Sequence, residues 1–114
     1  MKEVETFEAK IYVGFRYSYD GDMCHIETLK KLCQTHCDTI GLCVTVTPTT
    51  FIYKGGNEEG AIVGLINYPR FPSSKEEILD KAIFIGYSLL KRLKQKRLSI
   101  VTSDKTIMLE AEDV

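Results

Sequence analysis

Asn67-Tyr68-Pro69-Arg70-Phe71-Pro72-Ser73-Ser74 is the stretch whose residue types and spacing point most directly to chemistry. Two prolines three residues apart stiffen the backbone on both sides of Arg70 and Phe71. Such a loop holds side chains outward with little conformational entropy left to lose on binding. Arginine offers a planar fork of donors that fits a phosphate, and a phenylalanine ring offers a face on which a base can stack. The helix expected directly afterwards adds free backbone N–H groups from Ser73 onward and the positive end of its dipole. An anion clamp beside a stacking platform suits a nucleotide. The plain alternative is a proline-rich link in which Phe71 staples the helix start and Arg70 is solvated.

Other residues extend this set. Thr45 and Thr47 fall on the polar face of an expected strand, where their hydroxyls could donate to ribose or phosphate oxygens, although threonine is also an ordinary strand residue. Arg97 opens a strand just past a long helix and is expected to reach the same end of the sheet. The candidate ligand-binding residues are therefore Asn67, Arg70, Phe71, Ser73 and Arg97, with Thr45 and Thr47 as secondary candidates. For catalysis one would look for a nucleophile beside a base, or two carboxylates in different environments. His25 and His36 have no obvious serine or aspartate partner in the sequence, and no phosphate-loop, dinucleotide-fingerprint or HExxH motif occurs. The expectation is a binding protein with no catalytic residues and no cofactor.

Cys24, Cys33, Cys37 and Cys43 with the two histidines raise the question of zinc. Zinc knuckles present two tight ligand pairs, whereas Cys33 and Cys37 share one face of an expected helix; buried free thiols are the favoured reading. Disulfides would be supported by a secretory signal, and Met1-Lys2-Glu3-Val4-Glu5 lacks the apolar stretch of one. The expected compartment is the cytoplasm. The chain has 114 residues, 44% hydrophobic and 27% charged, with a formal net charge of −1. That balance speaks against disorder and against a general DNA or RNA binder. Apolar runs such as Ala61 to Ile66 are far too short to span a bilayer. The basic run Lys91, Arg92, Lys94, Lys96 and Arg97 falls mostly at the end of a helix, where cations offset its dipole.

The elements that must position these residues read clearly in places. Phe7, Ala9, Ile11, Val13, Phe15, Tyr17 and Tyr19 occupy successive odd positions, as in a strand with one buried face. Asp20-Gly21-Asp22 breaks it. Ile26, Leu29, Leu32, Cys33, His36 and Cys37 follow helical spacing, with Gly41 as a left-handed cap. Leu42 to Thr47 reads as a strand ended by Pro48, Phe51 to Tyr53 as another, and Lys54-Gly55-Gly56-Asn57 as a hairpin turn into Ala61–Tyr68. Ser74-Lys75-Glu76-Glu77 has capping-box spacing. It opens a long helix whose stripe of Ile78, Leu79, Ala82, Ile83, Ile85, Gly86, Leu89, Leu90 and Leu93 should form the spine of the core. A last hairpin turns at Ser103-Asp104-Lys105. The prediction is one α+β domain over residues 1–114, frayed at 1–6 and 110–114, in the order β-α-β-β-β-α-β-β, with a mainly antiparallel sheet and its helices on one face.

Taken together, Cys43 to Thr49, Phe51-Ile52-Tyr53, Gly64 to Pro72, Ile100-Val101-Thr102 and Lys105 to Leu109 resemble a family of small phage and prophage proteins, the Thoeris anti-defence proteins of the first type. The resemblance implies a non-enzymatic homo-oligomer in the cytoplasm of an infected bacterium. Such a protein binds a cyclic ADP-ribose isomer intact, and in some members cyclic oligonucleotides as well, so that bacterial Thoeris immunity is not triggered. Carried over, it places the ligand against Arg70 and Phe71, with Asn67 and Arg97 as polar contacts. Two other classes stay open: a small enzyme acting on cyclic nucleotides, or a structural or protein-binding phage module.

Overall fold

The computed structural model describes residues 1–16 and 25–113; Tyr17, Tyr19, the Asp20-Gly21-Asp22 break and Cys24 lie outside the described residues. The elements are β1 (Glu8–Gly14), α1 (Ile26–Ile40), β2 (Thr45–Tyr53), β3 (Gly56–Ile66), α2 (Lys75–Arg92), β4 (Arg97–Thr102) and β5 (Thr106–Glu110), followed by a short 3-10 turn at Ala111–Asp113. The strands form a sheet in the order β2-β3-β1-β4-β5, with every neighbouring pair antiparallel. The α+β class and the antiparallel sheet are as expected. The segments on either side of Pro48 are one strand: β2 pairs continuously with β3 from Thr45 to Tyr53. Because β2 is an edge strand, a residue without an N–H can sit there without removing a bond from the ladder.

Period-two patterning gives β1 one buried face, and the strand lies at the centre of the sheet. Ala9, Ile11 and Val13 are buried, with Phe7 and Phe15 at the two ends of the same row. Their register sets Ile11 opposite Val63 on one side and Ile100 on the other, and both partners are fully buried. Over this row lies α2, which buries Ile78, Ala82, Ile85, Leu89 and Leu90; α1 adds Leu29 and Cys33. Truncating a fully buried residue such as Leu89 to alanine is worth about 2–5 kcal/mol. The α2 stripe is thus covered largely by its own sheet, while Phe84 on the same helix is exposed.

Both predicted helix signals operate. Ser74 Oγ accepts from the Glu77 N–H at 3.1 Å while Glu77 Oε1 accepts from the Ser74 N–H at 3.0 Å, and Gly41, at φ 67°, donates its N–H to Cys37 O. The end of α2 uses a residue that carries a side chain. Lys94 adopts φ 55°, and the Gln95 N–H reaches back to Leu90 O at 3.0 Å, the outer bond of a Schellman motif in which glycine is the usual occupant. Residues 110–113, read as part of a frayed end, are tied down: Ala111 N–H donates to Lys96 O at 2.8 Å and Tyr87 Oη to Asp113 Oδ2 at 2.9 Å. Among the described residues, no helix is long and apolar enough to cross a membrane.

Candidate functional site

The helices cover one face of the sheet and the even-numbered side of β1 looks the other way. On that open face Gly14 pairs with Gly60, and Tyr12 lies between Ile62 and Ser99. A glycine pair leaves a shallow floor, and side chains from neighbouring strands fold over it. A Cβ on Gly14 would stand 2.3 Å from Glu58 Oε2, and one on Gly60 would stand 2.5 Å from the Phe51 ring and 2.4 Å from Val13 O. The glycines therefore let the Glu58 carboxylate and the Phe51 ring lie flat against the sheet.

Beside this floor is a cleft of about 360 Å³. Its aromatic wall is Tyr12 and Phe51, its carboxylate is Glu58, and its basic rim is Lys94, Lys96 and Arg97. The carboxylate is anchored: the Arg16 N–H donates to Glu58 Oε2 at 3.0 Å and the Arg16 guanidinium donates to Asn57 O at 3.0 Å. Gln95 closes the wall by donating from Nε2 to Arg16 O and Leu93 O, each at 3.0 Å. Two rings, one held carboxylate and a cationic rim suit a small zwitterion that carries an aromatic base.

The sequence-expected site residues do not gather in one place. Antiparallel pairing puts Arg97 beyond Ser99 at the Gly14 end of β1, whereas Asn67, whose N–H donates to Phe7 O, sits at the other end. The expectation that Arg97 reaches the Asn67–Ser73 end is corrected by α2: 18 residues at about 1.5 Å each carry the chain the length of the sheet. Asn67 has a holding role, donating from Nδ2 to Glu5 O and accepting the Ser73 N–H at Oδ1, both at 2.9 Å. The Arg70 guanidinium stacks over the Phe71 ring at 5.3 Å on an exposed loop. Phe71 and Ser73 line a separate cavity. Thr45 and Thr47 lie on the open face opposite Gly64 and Ile62, outside the cleft.

Of the expected residues only Arg97 lines the cleft; Tyr12, Gly14, Phe51, Glu58, Lys94 and Gln95 line it with no such expectation from the sequence. One signal was available: Gly14 and Gly60 interrupt strand-favouring sequence, and a glycine inside a strand marks a close approach. His36 does have a serine partner, with Nε2 2.9 Å from Ser88 Oγ and the Phe84 ring edge-on at 5.4 Å. Both residues lie in mid-helix, where the backbone N–H groups are consumed by the helix and cannot form an oxyanion hole. Among the described residues no three of His, Cys, Asp and Glu converge to hold a metal ion.

No family model matches the chain, and no curated protein matches it. Two solved structures share its fold. One is a phage SAM lyase in complex with S-methyl-5′-thioadenosine, at TM-score 0.80 and 20% identity over 94% of this chain and 91% of that one. The other is a phage SAM lyase in the apo state, at TM-score 0.80 and 20% identity over 93% and 90% of the respective chains. At that identity the likeness establishes the fold. It also overturns the expectation of a non-catalytic chain, because the proteins that share this architecture are enzymes. A missing nucleophile–base pair excludes only those reactions in which the protein itself must supply both groups, so its absence from the sequence was weak ground for that expectation.

Proposed function

We propose that this chain is an enzyme that binds S-adenosylmethionine or a close adenosyl sulfonium in the open-face cleft and cleaves its sulfonium–carbon bond. The observation that carries the reading is the Glu58 carboxylate, held by the Arg16 N–H over Gly14 between two aromatic rings and a basic rim. The ligand's parts match those of the cleft. Adenine stacks on Tyr12 or Phe51, worth about 1–3 kcal/mol, and the substrate carboxylate faces Lys94, Lys96 and Arg97.

S-methyl-5′-thioadenosine is what remains of this substrate when the bond from sulfur to Cγ of the amino-acid chain breaks. The substrate's own carboxylate can attack Cγ. A C–O bond forms, the C–S electron pair moves to sulfur, the sulfonium becomes a neutral thioether, and homoserine lactone leaves with no proton transferred. The protein then needs only to fold the chain back into an attack geometry, a positioning effect worth up to about 7–11 kcal/mol in intramolecular reactions. A carboxylate against the sulfur would hold the charged ground state more than the transition state, in which that charge is disappearing. We therefore assign Glu58 to the ribose hydroxyls, whose hydrogen bonds persist through the reaction.

The Thoeris resemblance survives here in its general form, a phage protein acting on an adenosine-containing small molecule. Cyclic ADP-ribose isomers would meet the same rings through adenine and serve as the comparison ligands. Purified protein is incubated with S-adenosylmethionine and followed by liquid chromatography and mass spectrometry. S-methyl-5′-thioadenosine should accumulate as substrate disappears, and Glu58→Gln should raise KM about tenfold with a smaller effect on kcat. Unchanged substrate after long incubation with stoichiometric protein refutes the proposal, as does retention of a cyclic ADP-ribose isomer without sulfonium turnover.

A further inference from the structure

A second cavity, of about 310 Å³, opens between the end of α1, the end of β3 and the start of α2. Leu42, Leu65, Ile66, Phe71 and Ile78 give it apolar walls, and among the described residues no acidic one lines it. Two polar groups stand among these apolar walls. Tyr68 Oη accepts from the Cys43 thiol at 3.7 Å, which leaves the tyrosine O–H to donate. Lys81 lines the cavity from α2, partly buried and without a hydrogen bond or contact ion pair among the described residues. The acidic group that acts on it is Glu77, one turn earlier on α2, whose carboxylate is engaged by the Ser74 N–H. A cation on a long stem beside an apolar cavity, with no carboxylate among the described lining residues, leaves a place for one anion attached to an apolar body.

We infer that this cavity binds a small aliphatic or aromatic carboxylic acid, its body against Leu42, Leu65 and Ile78 and its carboxylate shared by Lys81 and the Tyr68 hydroxyl. The site lies at the opposite end of the sheet from the open-face cleft and uses none of its residues. It therefore stands whether or not the chain cleaves a sulfonium.

Cys43 is an exposed thiol on the cavity wall and reports occupancy directly. Its carbamidomethylation is timed by peptide mass spectrometry on the full chain, with increasing octanoate or, as the uncharged isostere, octanol. Octanoate should slow labelling of Cys43 at least fivefold and half-protect at a concentration at least tenfold below that of octanol. Lys81→Met keeps the stem and should bring the two within about threefold; Lys81→Arg should restore the preference. The idea fails if octanoate gives no protection, if the two compounds protect equally in the wild type, or if Lys81→Met keeps the full preference.

Discussion

Gly14→Ala separates the site from the fold more cleanly than removing Glu58 itself. The new methyl would stand 2.3 Å from Glu58 Oε2 and 2.8 Å from its Cδ, where ordinary contact begins near 3.4 Å. The carboxylate must therefore move by about 1 Å, and it can, because it is the far end of a flexible side chain on the open face. The move loosens the Arg16 N–H bond to Oε2, a loss of about 1 kcal/mol for a half-exposed acceptor. Replacing glycine by alanine within a strand returns roughly 0.5–1 kcal/mol. The melting temperature should stay within about 3 °C of the wild type. Turnover of S-adenosylmethionine should not: a misplaced charge-assisted hydrogen bond costs about 1.5–3 kcal/mol, or roughly 10–150-fold in kcat/KM. Gly60→Ala supplies the contrast, since its methyl meets Val13 O at 2.4 Å and backbone cannot yield. That variant should lose about 1–3 kcal/mol of stability or more. Wild-type turnover in Gly14→Ala, measured by mass spectrometry alongside calorimetric melting, would refute the role given to Glu58. Destabilisation as large as that of Gly60→Ala would refute the claim that its side chain yields freely.

Three shorter predictions accompany it. Lys94→Gly relieves the left-handed φ of 55° at the end of α2 and should raise stability in urea by about 0.5–1 kcal/mol; a lower midpoint would mean that the Lys94 side chain contributes more than its strain removes. Hydrogen bonds from the Ser74 backbone and then its side chain hold the Glu77 carboxyl below its ordinary 4.5. The cap's contribution is accordingly complete above that value and is lost as pH falls through the lower folded value. Glu77→Gln should thus remove part of the acid-side slope of stability while leaving neutral-pH behaviour close to Ser74-capped wild type, and an unchanged slope counts against the reciprocal cap. Burial, and next the neighbouring Cys37, push the Cys33 thiol up to about 11, so at pH 8 iodoacetamide should label Cys43 well before Cys33 in the folded protein; equal rates would show that Cys33 is not in the core.

Local pattern carried much of this chain. Alternation from Phe7 to Phe15 named the buried face of β1, since side chains in a strand point to opposite sides. The capping box at Ser74 and the glycine at 41 fixed two helix ends, because each depends on residues within one turn. The cleft was hidden for the converse reason. Tyr12, Phe51, Glu58 and Arg97 come from four strands, and only the antiparallel register brings them together. Taken singly, each reads as an ordinary solvent-facing strand residue. The same register separates Arg97 from Asn67, which the chain order alone made look like neighbours across the long helix. His36 and Ser88 meet in the same way, 52 residues apart. Periodicity determines which side of each element faces the core; strand pairing across tens of residues, governed by shared burial of those faces, decides which polar residues share the side left open.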